Sequence, residues 1–270
     1  MQAGQPTVLS WIDDHSPLPA ADLALGADTD APGLVAAGGS VTPARLEEAY
    51  SQGIFPWYGP GQPPLWWSPD PRMVLQVAKF KLSRSLKKTL RRFIATPGCE
   101  VRFDHDFGAV IAACASTPRD GQDGTWIVPE LMAAYTAWHA LGRVHSAETW
   151  VDGKLVGGLY FVNLGRMCFG ESMFAHRTDA SKIALAALVA ACHARGVAWI
   201  DCQQNTEHLA SLGAHEVPRS DFLAHVASAT RTTQVMQAMQ ATPLTEWSYD
   251  ESAWNLLASD LLPHRPPVAA

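Results

Sequence analysis

Arg166-Met167-Cys168-Phe169-Gly170-Glu171-Ser172-Met173-Phe174 and Val197-Ala198-Trp199-Ile200-Asp201-Cys202-Gln203 are two strand-like runs, and the residues between them carry the pattern of a single helix. Asp179 is placed to cap that helix and Gly196 to close it. A strand–helix–strand crossover joins parallel strands and brings both carboxyl ends to one edge of a sheet. Open α/β sheets bind their ligands at that edge. Glu171, Asp201 and Gln203 are therefore expected to converge on one cleft. Two carboxylates beside an amide can handle an amine.

Upstream of this unit the hydrophobic period changes at residue 145. Asp152-Gly153 stands between two alternating runs as a hairpin turn, and Asn163-Leu164-Gly165 makes a second. A three-stranded meander over 145–174 is the result. Residues 73–80 form another strand, and Ser83 caps a helix that runs to Ile94. Helices follow over 104–115 and 129–141, the second opened by Pro129 and closed by Gly142. Downstream, Thr206 caps a short helix ended by Gly213, and Ser220 caps another. Thr42 and Pro43 open a short helix that stops before Gly53. Between Phe55 and Arg72, six prolines and three tryptophans in eighteen residues exclude regular structure. The fold class is α+β, a mixed α/β layout with helices packed on a largely antiparallel sheet. The chain divides into an irregular extension (1–32), a small N-terminal domain (33–80), a catalytic domain (81–230) and a weakly structured C-terminal tail (231–270).

The chain has 270 residues, 47% of them hydrophobic, enough to bury a sizeable core. Its net charge of −6 gives no global attraction for nucleic acid, so any polyanion site is local. No apolar run approaches the ~18 residues of a membrane span, and Met1 to Pro6 lack the start of a signal peptide. The five cysteines are scattered with no Cys-x-x-Cys pair, which suits reduced thiols in the cytoplasm. The histidines show no metal-ligand spacing, so no metal is expected.

Charge is concentrated in one window. Between Lys79 and Arg92 stand seven basic residues and no acidic one. Arg84, Lys87, Lys88, Arg91 and Arg92 share one helical face, opposite Leu86, Leu90, Phe93 and Ile94. Such a face is either ordinary solvated surface or a contact for phosphates. Asp201 either caps the turn after its strand or accepts from the Gln203 amide and turns that carbonyl outward. Glu171 either forms a structural ion pair or faces a ligand. Cys202 has no adjacent base and is expected to be an inert thiol. Gly157-Gly158 lies within a strand, so it is not a phosphate loop.

Taken together, the motifs are specific. Gly33-Leu34-Val35-Ala36-Ala37-Gly38-Gly39, Gly53-Ile54-Phe55-Pro56-Trp57, Leu65-Trp66-Trp67-Ser68-Pro69-Asp70-Pro71-Arg72, Gly124-Thr125-Trp126-Ile127, Gly170-Glu171-Ser172-Met173-Phe174 and Ile200-Asp201-Cys202-Gln203 occur in one order. With them the chain resembles the leucyl/phenylalanyl-tRNA–protein transferase family over about 33–222. The resemblance implies an acyl-CoA N-acetyltransferase-like catalytic domain behind a small N-terminal domain, with neither metal nor CoA as cofactor. It implies a transferase, probed by its partners: Leu-, Phe- or Met-tRNA as donor, and a protein with N-terminal Arg or Lys as acceptor, marked thereby for degradation. A monomer is expected. Asp201 and Gln203 would be the catalytic pair and Glu171 would lie at the amino group of the aminoacyl moiety. Trp57, Trp126, Leu159, Met173, Leu188 and Ile200 would line the site for the terminal adenosine and the apolar side chain. Arg84, Lys87, Lys88 and Arg91 would hold the tRNA. Ser40 stands where the family usually has Asp, Leu159 where some members have Met, and Cys192 where others are aromatic. The segment at Pro118–Gln122 looks longer than usual.

Two rival functions share parts of this pattern. A CoA-dependent N-acetyltransferase fits the fold, but Ala175-His176-Arg177-Thr178-Asp179 lacks glycines to cradle a pyrophosphate. A non-catalytic RNA-binding module fits the basic helix and leaves Glu171, Asp201 and Gln203 without a purpose.

Overall fold

The computed structural model describes residues 9–117, 126–238, 246–259 and 261, with the side chains of 232–238 left aside. The expected insertion at Pro118–Gln122 lies outside the described residues. The N-terminal unit has four short strands: β1 (Ser10–Ile12), β2 (Leu34–Gly38), β3 (Phe55–Pro56) and β4 (Leu65–Trp67), with helix α1 (Pro43–Ser51) between β2 and β3. Its sheet order is β1-β2-β4-β3. β1 pairs parallel with β2, so the extension before residue 33 is not wholly irregular. The Pro/Trp stretch is not without regular structure either. Pro56 lies in β3, at the edge of the sheet, where a missing N–H breaks no ladder. The indoles find acceptors: Trp66 Nε1 donates to the Gly38 carbonyl at 3.0 Å and Trp67 Nε1 to that of Trp57 at 2.7 Å.

The larger sheet begins with β5 (Arg72–Gln76). It continues through helix α2 (Arg84–Ala95), β6 (Cys99–Phe103), α3 (Phe107–Ser116), α4 (Pro129–Ala140), β7 (Val144–Val151), β8 (Lys154–Leu164) and β9 (Met167–Ala175). Helix α5 (Ala180–Ala194), β10 (Trp199–Gln203), α6 (Glu207–Ser211), β11 (His215–Val217) and α7 (Arg219–Ala238) complete it. The strand order is β11-β5-β10-β9-β8-β7-β6. The β7–β9 meander and the crossover were legible in sequence; β6 was not, because Cys99–Phe103 is too short and mixed to show a period. β5 pairs with β10 and β11, so it belongs to this sheet rather than to the N-terminal unit.

Two apolar layers cover the sheet. One face packs against α3, α4, α7 and the N-terminal unit, through Tyr160, Val162 and Phe169. The other packs against α2 and α5, through Leu159, Phe161 and Cys168. Adjacent residues divide between the layers because strand side chains alternate. Gly157 lets β8 meet the start of α5: a Cβ there would lie 2.4 Å from the Cβ of Ala180. Asp179 stands at the N-cap of α5, but its side chain makes no capping bond. It sits in left-handed backbone at φ 65° and its carboxylate binds Lys182 at 3.0 Å and the Thr89 hydroxyl of α2 at 3.3 Å. α7 begins at Arg219, directly after Pro218, so Ser220 is no cap. Within the expected tail, the described residues 246–259 and 261 pack against the domain. Trp247 and Trp254 are buried in the α5 layer, with a 3-10 turn at Glu251–Leu256.

Candidate active site

β9 and β10 are parallel neighbours, paired from Trp199–Met167 to Asp201–Phe169. Beyond that pair β9 stays with β8, and β10 with β5. The sheet opens between them, as it does at the switch point of an open sheet. Each strand carries an irregularity at the opening. Tyr160 faces Ser172 and Phe161 faces Gly170, which leaves Glu171 as the extra residue of β9. Asp201 faces Val74 and Gln203 faces Met73, which leaves Cys202 as the extra residue of β10. Bulges re-aim side chains beside functional sites. Gln203 is held in left-handed backbone at φ 55°, uncommon for a residue with a side chain.

A cavity of about 410 Å³ occupies the opening. Glu171, Asp201 and Gln203 line it, and so do Trp57, Trp126, Leu159, Met173, Leu188 and Ile200. The bulge breaks the alternation of an ordinary strand, so Cys202 reaches the wall as well as Asp201 and Gln203. Burial pushes its thiol well above the usual range, which keeps it protonated and inert.

Asp201 is fully buried, and its oxygens are already engaged. Oδ1 accepts from Arg72 Nε at 2.8 Å and from the Gln203 backbone N–H at 3.0 Å; Oδ2 accepts from Arg72 Nη2 at 2.6 Å. Of the two readings of Asp201, the structure has the turn cap: its carboxylate accepts from the Gln203 backbone N–H and not from the side-chain amide. Gln203 Nε2 is buried without a hydrogen-bond partner. Glu171 Oε1 is likewise buried and unpartnered, while Oε2 accepts from the Tyr135 hydroxyl at 3.2 Å. Tyr135 is in turn joined to Tyr50 by a 2.6 Å bond between their hydroxyls. Burial raises Glu171 to about 8, the Tyr50 and Tyr135 hydroxyls and Arg72 pull it down, and the nearby Asp201 charge adds to the rise.

The sequence signature of leucyl/phenylalanyl-tRNA protein transferase matches residues 74–227, and that of its N-terminal domain matches 39–70. Leucyl/phenylalanyl-tRNA–protein transferases from Methylibium petroleiphilum and Leptothrix cholodnii are 63% and 59% identical to it. Those alignments cover 96% and 97% of this chain and 93% and 100% of the relatives. The chain belongs to the leucyl/phenylalanyl-tRNA–protein transferase family. A further member, from a Polaromonas species, is 54% identical over 97% of this chain and 98% of its own.

Within this family member the basic face of α2 does not line the cavity. Arg84, Lys88 and Arg91 are exposed on it and Lys87 is half-buried, over the buried Leu86, Leu90 and Phe93. Of the departures from the family pattern, Leu159 is in the cavity wall, whereas Cys192 points at Cys168, sulfur to sulfur 3.7 Å, away from it. The backbone N–H of Ser40 binds the Asp14 carboxylate at 2.6 Å. Among the described residues no group of His, Cys, Asp and Glu could hold a metal ion, and no helix is long and apolar enough to cross a membrane. The sequence reading missed Arg72, Tyr50, Tyr135 and Leu185. Their only signal is that Arg72 falls inside a shared motif; burial of a polar group beside the site is invisible without the fold.

Proposed function

We propose that this cleft moves a leucyl, phenylalanyl or methionyl group from aminoacyl-tRNA onto the α-amine of a protein's N-terminal Arg or Lys, in the cytoplasm, and so marks that protein for degradation. One observation carries the reading. A buried acceptor, Glu171 Oε1, and a buried donor, Gln203 Nε2, lack partners in the wall of the same indole-flanked cavity. Buried polar groups are almost always satisfied. A substrate that brings an amine and a carbonyl together satisfies both.

In this reading Trp57 and Trp126 flank the terminal adenosine, and Leu159, Met173, Leu188 and Ile200 receive the apolar side chain. Glu171 Oε1 accepts from the amino group of the aminoacyl moiety. Gln203 Nε2 donates to the ester oxygen that gains negative charge as the acceptor amine attacks. The ester becomes an amide, which runs downhill without ATP. The attacking amine has a reference pKa of about 7.7–8.0, so a useful share is already neutral at cytoplasmic pH. Holding amine and ester together supplies roughly 7–11 kcal/mol of the barrier. All these groups come from one chain, which suits a monomer. Labelled Leu-tRNA with an Arg-initiated peptide should yield the Leu-extended peptide. Acetyl transfer from acetyl-CoA to that peptide, with no leucyl transfer, would overturn the assignment.

Side-chain selection follows from the walls. Leu, Phe and Met are unbranched at Cβ, and a narrow entry disfavours the stiff Ile and Val. Leu188→Ala should raise the Phe-to-Leu transfer ratio about tenfold, since pocket methylenes discriminate by ~10–200-fold. An unchanged ratio would place the side chain elsewhere.

The tRNA body is held by the basic face of α2, whose Thr89 is tied to the start of α5. Arg84→Glu together with Lys88→Glu should weaken tRNA binding whatever the tRNA sequence. The slope of log affinity against log salt should fall by about 1.4–1.8 if two phosphate contacts are lost. A loss confined to particular tRNAs would contradict a phosphate contact.

A further inference from the structure

The first residue of β5 has no assigned task, yet it lies against the reacting groups. Arg72 is fully buried and grips Asp201 through two parallel bonds of 2.8 and 2.6 Å. Its remaining Nη1 donates to the Gly53 carbonyl at 3.2 Å. The guanidinium carbon lies 4.7 Å from the centre of the Phe55 ring and 4.4 Å from that of Phe222. One side chain thus touches the N-terminal unit at Gly53 and Phe55, the β10 strand at Asp201, and α7 at Phe222. Phe55 is two residues from Trp57, the indole in the cavity wall.

Stability alone does not explain this arrangement. Apolar residues of the same volume often stabilise a fold as well as a buried ion pair does, or better. Geometry does explain it. The planar guanidinium fixes both Asp201 oxygens at once, which a flexible ammonium cannot do. Held so, Oδ1 keeps a lone pair directed at the Gln203 N–H, 3.0 Å away. That bond secures Gln203 at φ 55°, a backbone that persists only where its surroundings impose it. We propose that Arg72 is a positioning residue for aminoacyl transfer: through Asp201 it locks the left-handed turn that aims the Gln203 amide into the cavity. The inference rests on the transfer function proposed above.

The test is a pair of kinetic cycles on the full chain with Leu-tRNA and an Arg-initiated peptide. Arg72→Lys keeps the charge and loses the fork. It should lower kcat about 10²-fold, as expected for a displaced catalytic group, while the affinity for aminoacyl-tRNA stays within a factor of two or so. In a Gln203→Ala background the same change should cause no further loss, because the two residues act as one unit. Wild-type kcat in Arg72→Lys, or full multiplication of the two losses, would overturn the proposal. Should Arg72→Lys not fold, Phe222→Leu removes one stacking ring outside the cavity. It should slow kcat a few-fold, again only when Gln203 is present; a lower melting temperature with unchanged kcat would overturn it. Gln203→Ala alone separates the two claims. Full activity there refutes the transfer chemistry assigned to Gln203, whereas a slow Gln203→Ala beside a normal Arg72→Lys refutes only the role of Arg72.

Discussion

Asp201→Ala should lose stability and activity together. The substitution strands the Arg72 guanidinium, which has no exposure to water. Removing one partner of a buried ion pair costs about 3–5 kcal/mol. For a chain of this size that is a drop in melting temperature of roughly 6–20 °C, at about 2–4 °C per kcal/mol. At a temperature where the variant is still folded, transfer should be slower by about 10²-fold or more, because Gln203 loses the carboxylate that holds its backbone. The double change Arg72→Met with Asp201→Leu should recover most of the melting temperature and none of the activity. Calorimetry and single-turnover transfer separate the two effects. A single Ala variant with native melting temperature and native rate would show that the Asp201 carboxylate does neither job.

Glu171 governs the second large effect. Its carboxyl is raised to about 8, chiefly by burial. In the unfolded chain it returns to its ordinary value near 4.5. Between those two values the native state keeps a proton that the unfolded state releases, so this group makes stability fall as pH rises from about 4.5 to about 8. The slope is at most about 1.4 kcal/mol per pH unit. Glu171→Gln should flatten it.

Binding of aminoacyl-tRNA should report the same proton. A free α-amine titrates near 7.7–8.0, close to Glu171. Below that range the free partners hold two protons and the bound amine–carboxyl pair holds one; above it the free partners hold none. Affinity for aminoacyl-tRNA, measured without acceptor, should therefore peak near pH 8. Glu171→Gln should abolish the acid limb of that peak, because the variant has no carboxyl proton to lose on binding. It should also weaken binding about 10–150-fold, the equivalent of roughly 1.5–3 kcal/mol for a hydrogen bond to a charged group. A pH profile identical in the variant would mean that Glu171 does not meet the amino group.

The crossover was legible because both of its strands and its helix carry strong periods, and because a crossover has only one simple topology. Asp201 was placed at the cleft by its position at the carboxyl end of a strand in that crossover, whereas Leu159 and Ile200 came from the resemblance to the family. What the residues do to one another was less legible. The sequence left Asp201 between capping the turn and holding the Gln203 side chain; a bulge adds Cys202 between the ladder positions, and Asp201 meets the Gln203 backbone. Bulges leave little trace in sequence beyond a nearby glycine such as Gly170. Arg72 was read as part of a loop rich in proline. Its pairing with Asp201 spans 129 positions of chain, a separation that no local pattern reports.

The packing of Trp247 and Trp254 bears on where this molecule can be cut. The family signature stops at residue 227. Yet Trp247 lies edge-on over Phe161, ring centres 4.7 Å apart, and Trp254 is buried against the layer formed by α5. The opposite side of α5 supplies Leu185 and Leu188 to the cavity. A fragment ending where the family signature ends would keep Glu171, Asp201 and Gln203, but the helix that supplies Leu185 and Leu188 to the cavity would lose its backing. The unit that holds the cavity together is thus longer than the family signature, and trimming to that signature should blur substrate choice before it abolishes transfer.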